Sequence, residues 1–89
     1  MISPMLRKLD HLKCVPVIAS FSSQGELIPL YASINGIQLK IEYFSIQQMD
    51  GSSWIPFLCT TVDQNIQKQF RLLYNIPEHA WFFDKEFRP

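Results

Sequence analysis

Glycine is scarce in this chain: three residues in 89, standing singly at positions 25, 36 and 51. Isolated glycines cannot build the Gly-rich loop that cradles a phosphate, so nucleotide-binding motifs of that kind are excluded. Cysteine is as sparse, with Cys14 and Cys59 only. Two cysteines make no disulfide framework. A Cys14–Cys59 bridge is possible, but free, partly buried thiols are the simpler expectation. Net charge is also missing, because eight Lys and Arg balance eight Asp and Glu. A protein built to grip phosphate backbones carries a basic excess, which this one lacks. No apolar run approaches the ~20 residues that cross a bilayer. The opening "MISPMLRKLDHLK" has no continuous apolar stretch of the secretory kind, and the expected location is cytoplasmic, with reduced thiols.

Apolar residues, in contrast, are plentiful. They form 47% of the chain, with seven Phe, three Tyr and two Trp. That is enough for one domain with one modest core. No repeat, linker or low-complexity tract divides residues 1–89.

Hydrophobic periodicity orders the chain. Ser3, Pro4, Met5, Leu6, Leu9 and Leu12 have the capping and spacing of a short helix, so residues 1–13 are expected to form an N-terminal helical cap that docks on the domain. In "CVPVIASF", 14–21, Val15, Val17, Ala19 and Phe21 alternate onto one face of a strand, with Pro16 marking an edge or a bulge. "SSQGE" reads as a hairpin loop and "LIPLYAS", 27–33, as a second strand. Asn35-Gly36 in "INGI" accepts positive φ at both central positions, the demand of a type I′ turn. The next strand, "IQLKIEYFSIQ", is long. Ile37, Leu39, Ile41 and Tyr43 face one way until the phase slips at Tyr43-Phe44, after which Phe44 and Ile46 take the apolar positions. A one-residue slip predicts a β-bulge that bends the strand. "MDGSS" is a turn, and "SWIPFLCTTV", 53–62, a fourth strand. Residues 66–75 fit a helix and a strand about equally by spacing, and the hairpin-rich setting favours a strand. "IPEH" turns the chain into "AWFF", where Trp81 and Phe83 share one face and Phe82 takes the other.

The expected fold is mainly β: a small, strongly bent antiparallel sheet or barrel of five to six strands over 14–83, with the N-terminal helix and a tail at 84–89. Ala19, Phe21, Gly25, Pro29, Gly36, Cys59, Trp81 and Phe82 are placed so that the stretch from about 15 to 83 resembles short bacterial proteins of uncharacterised function. The resemblance implies a small β-barrel and carries no activity. It departs from that pattern at "IPFLC", where an arginine is expected before the cysteine.

Reactive constellations are weak. His11 and Cys14 form an H-x-x-C pair, but Cys59 and His79 stand alone, whereas zinc sites bring ligands in close pairs. Cys59, His79 and Asp63 supply the residue types of a cysteine triad without any sign of an oxyanion site. Glu26, Glu42, Asp50, Glu78, Asp84 and Glu86 are scattered, as solvated carboxylates are. No metal, cofactor or small-molecule ligand is implied, and no enzyme is expected. The expected function is that of a small noncatalytic binding or assembly module, acting through a protein partner or self-association. The favoured surface is a sheet face near Lys40, Glu42, Phe44, Trp54 and Phe82. The alternative is a small barrel of the OB or SH3-like type that stacks single-stranded nucleic acid on Tyr31, Tyr43, Phe44, Trp54 and Phe82, with Lys40, Lys68 and Arg71 on the backbone.

Overall fold

A computed structural model describes residues 10–47 and 53–89. Among them are eight strands and no helix: β1 (Leu12–Cys14), β2 (Val17–Phe21), β3 (Leu27–Ile34), β4 (Ile37–Lys40), β5 (Tyr43–Ile46), β6 (Trp54–Asp63), β7 (Ile66–Asn75) and β8 (Ala80–Asp84). All pairings are antiparallel. The strands form a five-stranded sheet, in the order β1-β8-β7-β6-β5, and a three-stranded sheet, in the order β2-β3-β4.

The mainly β expectation holds, and the barrel does not: the two sheets are not closed into one. The reason lies at two corners. The segment expected as one strand over 14–21 changes sheets between Val15 and Pro16. Val15 N–H donates to the Trp81 carbonyl in the larger sheet (3.0 Å), whereas the Pro16 carbonyl accepts from Ser33 N–H in the smaller one (2.9 Å). The segment expected over 37–47 does the same between Ile41 and Glu42. Ile41 N–H reaches the Leu30 carbonyl (2.9 Å) and Glu42 N–H the Thr60 carbonyl (2.8 Å). Strands that switch sheets make such corners through a local bend. The phase slip is therefore real, because the inward set passes from Ile41 to Phe44. It marks a change of sheet rather than a bulge within one continuous strand. Beyond Ile41, β3 pairs only with β2. Register slips there between Ile18 and Ala19, leaving Leu30 as the extra residue. Pro29 has no N–H to offer a neighbour. No ladder joins β3 to β5.

The expected helix over 1–13 falls on residues 1–9, outside the described residues, except at its end. There Leu12–Cys14 is a strand paired with β8, so the cap does not extend to residue 13. The "MDGSS" turn also lies almost wholly outside the described residues. Residues 66–75 are a strand, in ten-residue register with β6. Tertiary pairing settles what spacing left open. The 84–89 tail is shorter than expected, since Asp84 ends β8 and Lys85 N–H bonds the His11 carbonyl (2.8 Å).

Turn chemistry behaves as written in the sequence. Asn35 and Gly36 have φ of 53° and 79°, as a type I′ hairpin requires. Gln64 and Asn65 adopt 51° and 67° in the β6–β7 hairpin. Gly25, at 80°, closes the β2–β3 loop, where the Ser22 hydroxyl oxygen accepts from Gln24 and Glu26 N–H.

One core draws on both sheets. Phe57, Cys59, Phe70, Leu72 and Trp81 enter from the larger sheet, and Ala32, Ile34 and Ile41, with Val15 at its corner, complete it. Trp81 lies 5.2 Å from Phe57 and 5.0 Å from Tyr74, ring to ring, in the tilted geometry aromatic pairs favour. Val17, Ala19, Leu27 and Leu39 pack against this cluster.

Candidate functional site

The larger sheet has an inner face in the core and an outer face away from it. Strand alternation sends Phe82 outward, between Trp81 and Phe83, as expected. Its ring meets Trp54 edge-on at 5.3 Å, across β7. Leu12, Trp54, Asn75, Glu78 and Phe82 line a shallow cleft of about 240 Å³ on this face. Phe82 is half-buried in the monomer. Much of its surface is thus satisfied within the chain.

Further along the outer face lies a charge cluster that the sequence did not announce. The Asp84 carboxylate, buried at 6% exposure, sits 3.4 Å from Arg71 Nη1 and 3.9 Å from His11 Nε2. Arg71 also stacks over Phe87 at 5.0 Å, and Asp84 Oδ1 accepts from Glu86 N–H (3.0 Å). Arg71 and Asp84 stand 13 positions apart on neighbouring strands, so no local motif marks them. The cluster ties the end of the chain to β1 and β7.

The third feature is the β5 edge. Every residue of β5 is exposed. Tyr43 is 64% exposed, Phe44 38% and Ile46 54%. Phe44 and Ile46 face inward opposite Cys59 and Phe57, and the Phe44 ring lies 5.7 Å from that of Phe57. They remain accessible because the smaller sheet turns away at Ile41.

The five residues expected to form one surface are therefore distributed over three places. Trp54 and Phe82 come together on the outer face. Phe44 lies on the other face of the sheet, at its β5 rim. Lys40 and Glu42 flank the corner before it, with Lys40 Nζ 3.8 Å from Glu42 Oε1. Tyr43 and Ile46 extend the exposed rim beside Phe44. The signal was present: after the slip, residues 43–47 carry apolar side chains on both faces and no charge.

The stacking candidates are also dispersed, since Tyr31 belongs to the smaller sheet. Their cations are engaged: Lys40 with Glu42, Lys68 with Asp63 (3.8 Å) and Arg71 with Asp84. The metal and triad candidates separate as well. Both cysteines are free thiols, Cys14 exposed and Cys59 buried. Burial pushes the Cys59 thiol up to about 12, against the smaller opposing effect of a backbone hydrogen bond at Leu72. A thiol held protonated is a poor nucleophile and metal ligand. His79 instead pairs with the Tyr74 hydroxyl (3.1 Å). Among the described residues no three His, Cys, Asp or Glu side chains gather as a metal would require, and no helix is long and apolar enough to cross a membrane.

Comparison of the chain with protein-family models, curated proteins and solved structures finds no match.

Proposed function

We propose that this protein is a noncatalytic binding or assembly module that acts through protein–protein contacts at the open edge of its larger sheet. The observation that carries the reading is the exposed, uncharged run Tyr43–Ile46. An edge strand offers unpaired backbone groups, and apolar side chains beside them add area to any strand that pairs there. The surface expected near Trp54 and Phe82 contributes less, because those two rings already cover one another. The protonated, core-facing Cys59 and the separation of His79 from it support a noncatalytic role.

The reading is tested by capture of protein partners from native cells on the immobilised chain, beside a Phe44→Lys, Ile46→Lys variant. Binding by the wild type that the double variant loses supports an edge-directed module. Equal capture by both, with a wild type that stays monomeric, overturns it. Salt-sensitive binding of single-stranded oligonucleotides above nonspecific levels would instead favour the nucleic-acid reading.

A further inference from the structure

The β5 edge permits a more specific statement about its partner, one that rests on the protein-contact reading above. We infer that β5 pairs with β5 of a second copy of this chain, antiparallel, about a twofold axis at Ser45.

Among the described residues, β5 pairs on one side only, with β6. Gln47 N–H donates to the Pro56 carbonyl (2.9 Å), so Gln47 points its backbone toward β6. In an antiparallel ladder this direction alternates along a strand. Ser45 and Tyr43 therefore also point toward β6, opposite Leu58 and Thr60. Phe44 and Ile46 point their N–H and C=O away, to the open edge. Two donors and two acceptors at alternate positions are what a second antiparallel strand engages. A twofold at Ser45 sets Phe44 against Ile46 of the partner copy and satisfies all four on each chain.

Side chains agree with this register. Phe44 and Ile46, the accessible apolar pair on the inner face, meet across the axis and cover one another. Tyr43 meets Gln47 of the other copy on the outer face. No charged residue lies within 43–47, so no like charges are opposed. An aromatic against a β-branched residue is among the favourable cross-strand pairs.

The other strand borders carry features that discourage pairing, and β5 does not. β1 bears Lys13, whose Nζ bonds Asn35 Oδ1 (3.2 Å). β4 ends in Lys40. β2 is preceded by Pro16, and its pairing with β3 is broken by the extra residue at Leu30. Lysine, proline and bulges are the devices by which proteins protect edges. A self-complementary edge without them suits a second copy, because a twofold interface must match itself. Four residues a side place the contact at the small end of specific interfaces, so association is concentration-dependent.

Register-specific cross-linking tests the inference, in a Cys14→Ser background that leaves only the buried Cys59 thiol. In this register the two Ser45 residues form a non-hydrogen-bonded pair, with Cα atoms about 4.5 Å apart, within disulfide range. Ser45→Cys is expected to give a covalent dimer with oxidised glutathione. Tyr43→Cys, four positions from its own mate and thus ~13 Å away, is expected to stay monomeric. Ile46→Pro removes an edge donor that β6 does not use. It should weaken self-association about 10- to 100-fold, since each dimer loses two hydrogen bonds. Light scattering over a concentration series reads that change, and circular dichroism checks the fold. Equal cross-linking of the two cysteine variants, or a wild type that stays monomeric at high concentration, overturns the dimer. If that monomer still captures a protein that Phe44→Lys, Ile46→Lys loses, the module reading stands while the dimer falls. If it captures nothing, both fall.

Discussion

The two sheets share one core but contribute to it unequally. The five-stranded sheet supplies the bulk: Phe57, Phe70, Leu72 and Trp81 are buried, with Tyr74 and Phe83 packed beside them. The three-stranded sheet supplies small or aliphatic groups, with Ala32 fully enclosed and Pro29 among the most buried side chains. Large rings on one layer interdigitate with small residues on the other, which is how a thin core reaches interior packing density. The smaller sheet also stops short of β5: its last bond to this segment is Ile41 N–H to the Leu30 carbonyl, and from Glu42 onward the chain pairs with β6.

This contrast can be broken from either side. The largest effect is expected from Phe57→Ala, which removes a ring from the centre of the larger sheet and leaves a cavity against Trp81. Stability should fall by about 3–5 kcal/mol in urea unfolding. A loss below about 1 kcal/mol would mean that the larger sheet does not carry the core. The opposite change on the smaller sheet, Ala32→Leu, adds volume at a fully buried position and should cost about 1–3 kcal/mol. If it stabilises instead, the smaller layer is underpacked and the proposed complementarity is wrong.

Cys59 sharpens the comparison through pH. Its folded thiol titrates near 12, above the ordinary value of 9.0. The neutral thiol favours the folded state, so this contribution is complete below about pH 9. It declines as pH rises toward 12, because the unfolded chain then releases the proton more readily. Thermal unfolding in a pH series should show a steeper alkaline fall for the wild type than for Cys59→Ala. Superimposable slopes would place the thiol in water rather than beneath both sheets.

Smaller effects belong to the periphery of each sheet. Gly36→Ala, at the tip of the β3–β4 hairpin, meets nothing within 4 Å. Its cost is therefore conformational, about 1 kcal/mol for forcing a side chain to positive φ. Lys68→Ala, on the protruding end of the larger sheet, breaks an ion pair whose members are 62% and 65% exposed. It should change stability by less than about 0.5 kcal/mol, and still less in high salt.

Several of these features are legible in the sequence. Asn35-Gly36 dictates its turn because few other residue pairs accept two positive φ values. Trp81, Phe82 and Phe83 divide between faces because strand geometry allows nothing else. The alternation of Val15, Val17 and Ala19 points to the core for the same reason. The candidate surface was legible only in part. Phe44 reads as apolar and out of phase, but Trp54 and Phe82 have the same apolar character and face each other. Asp84 gives no sign of burial in the sequence, since Arg71 lies on another strand and His11 in the turn before β1.

What the sequence determined by itself is local: where the chain turns, which side chains alternate inward, and where the alternation slips at residues 41 to 44. Those properties depend on backbone sterics and on the two-residue period, both of which act over a few residues. Only the tertiary structure decided that the slip is a change of sheet, that residues 66–75 are a strand, and that β5 has an edge left unpaired among the described residues. These depend on hydrogen bonds between segments distant in sequence, such as Ile41 to Leu30 and Glu42 to Thr60. A bent strand and a strand that changes partners have the same pattern of apolar residues. They differ only in what lies on either side.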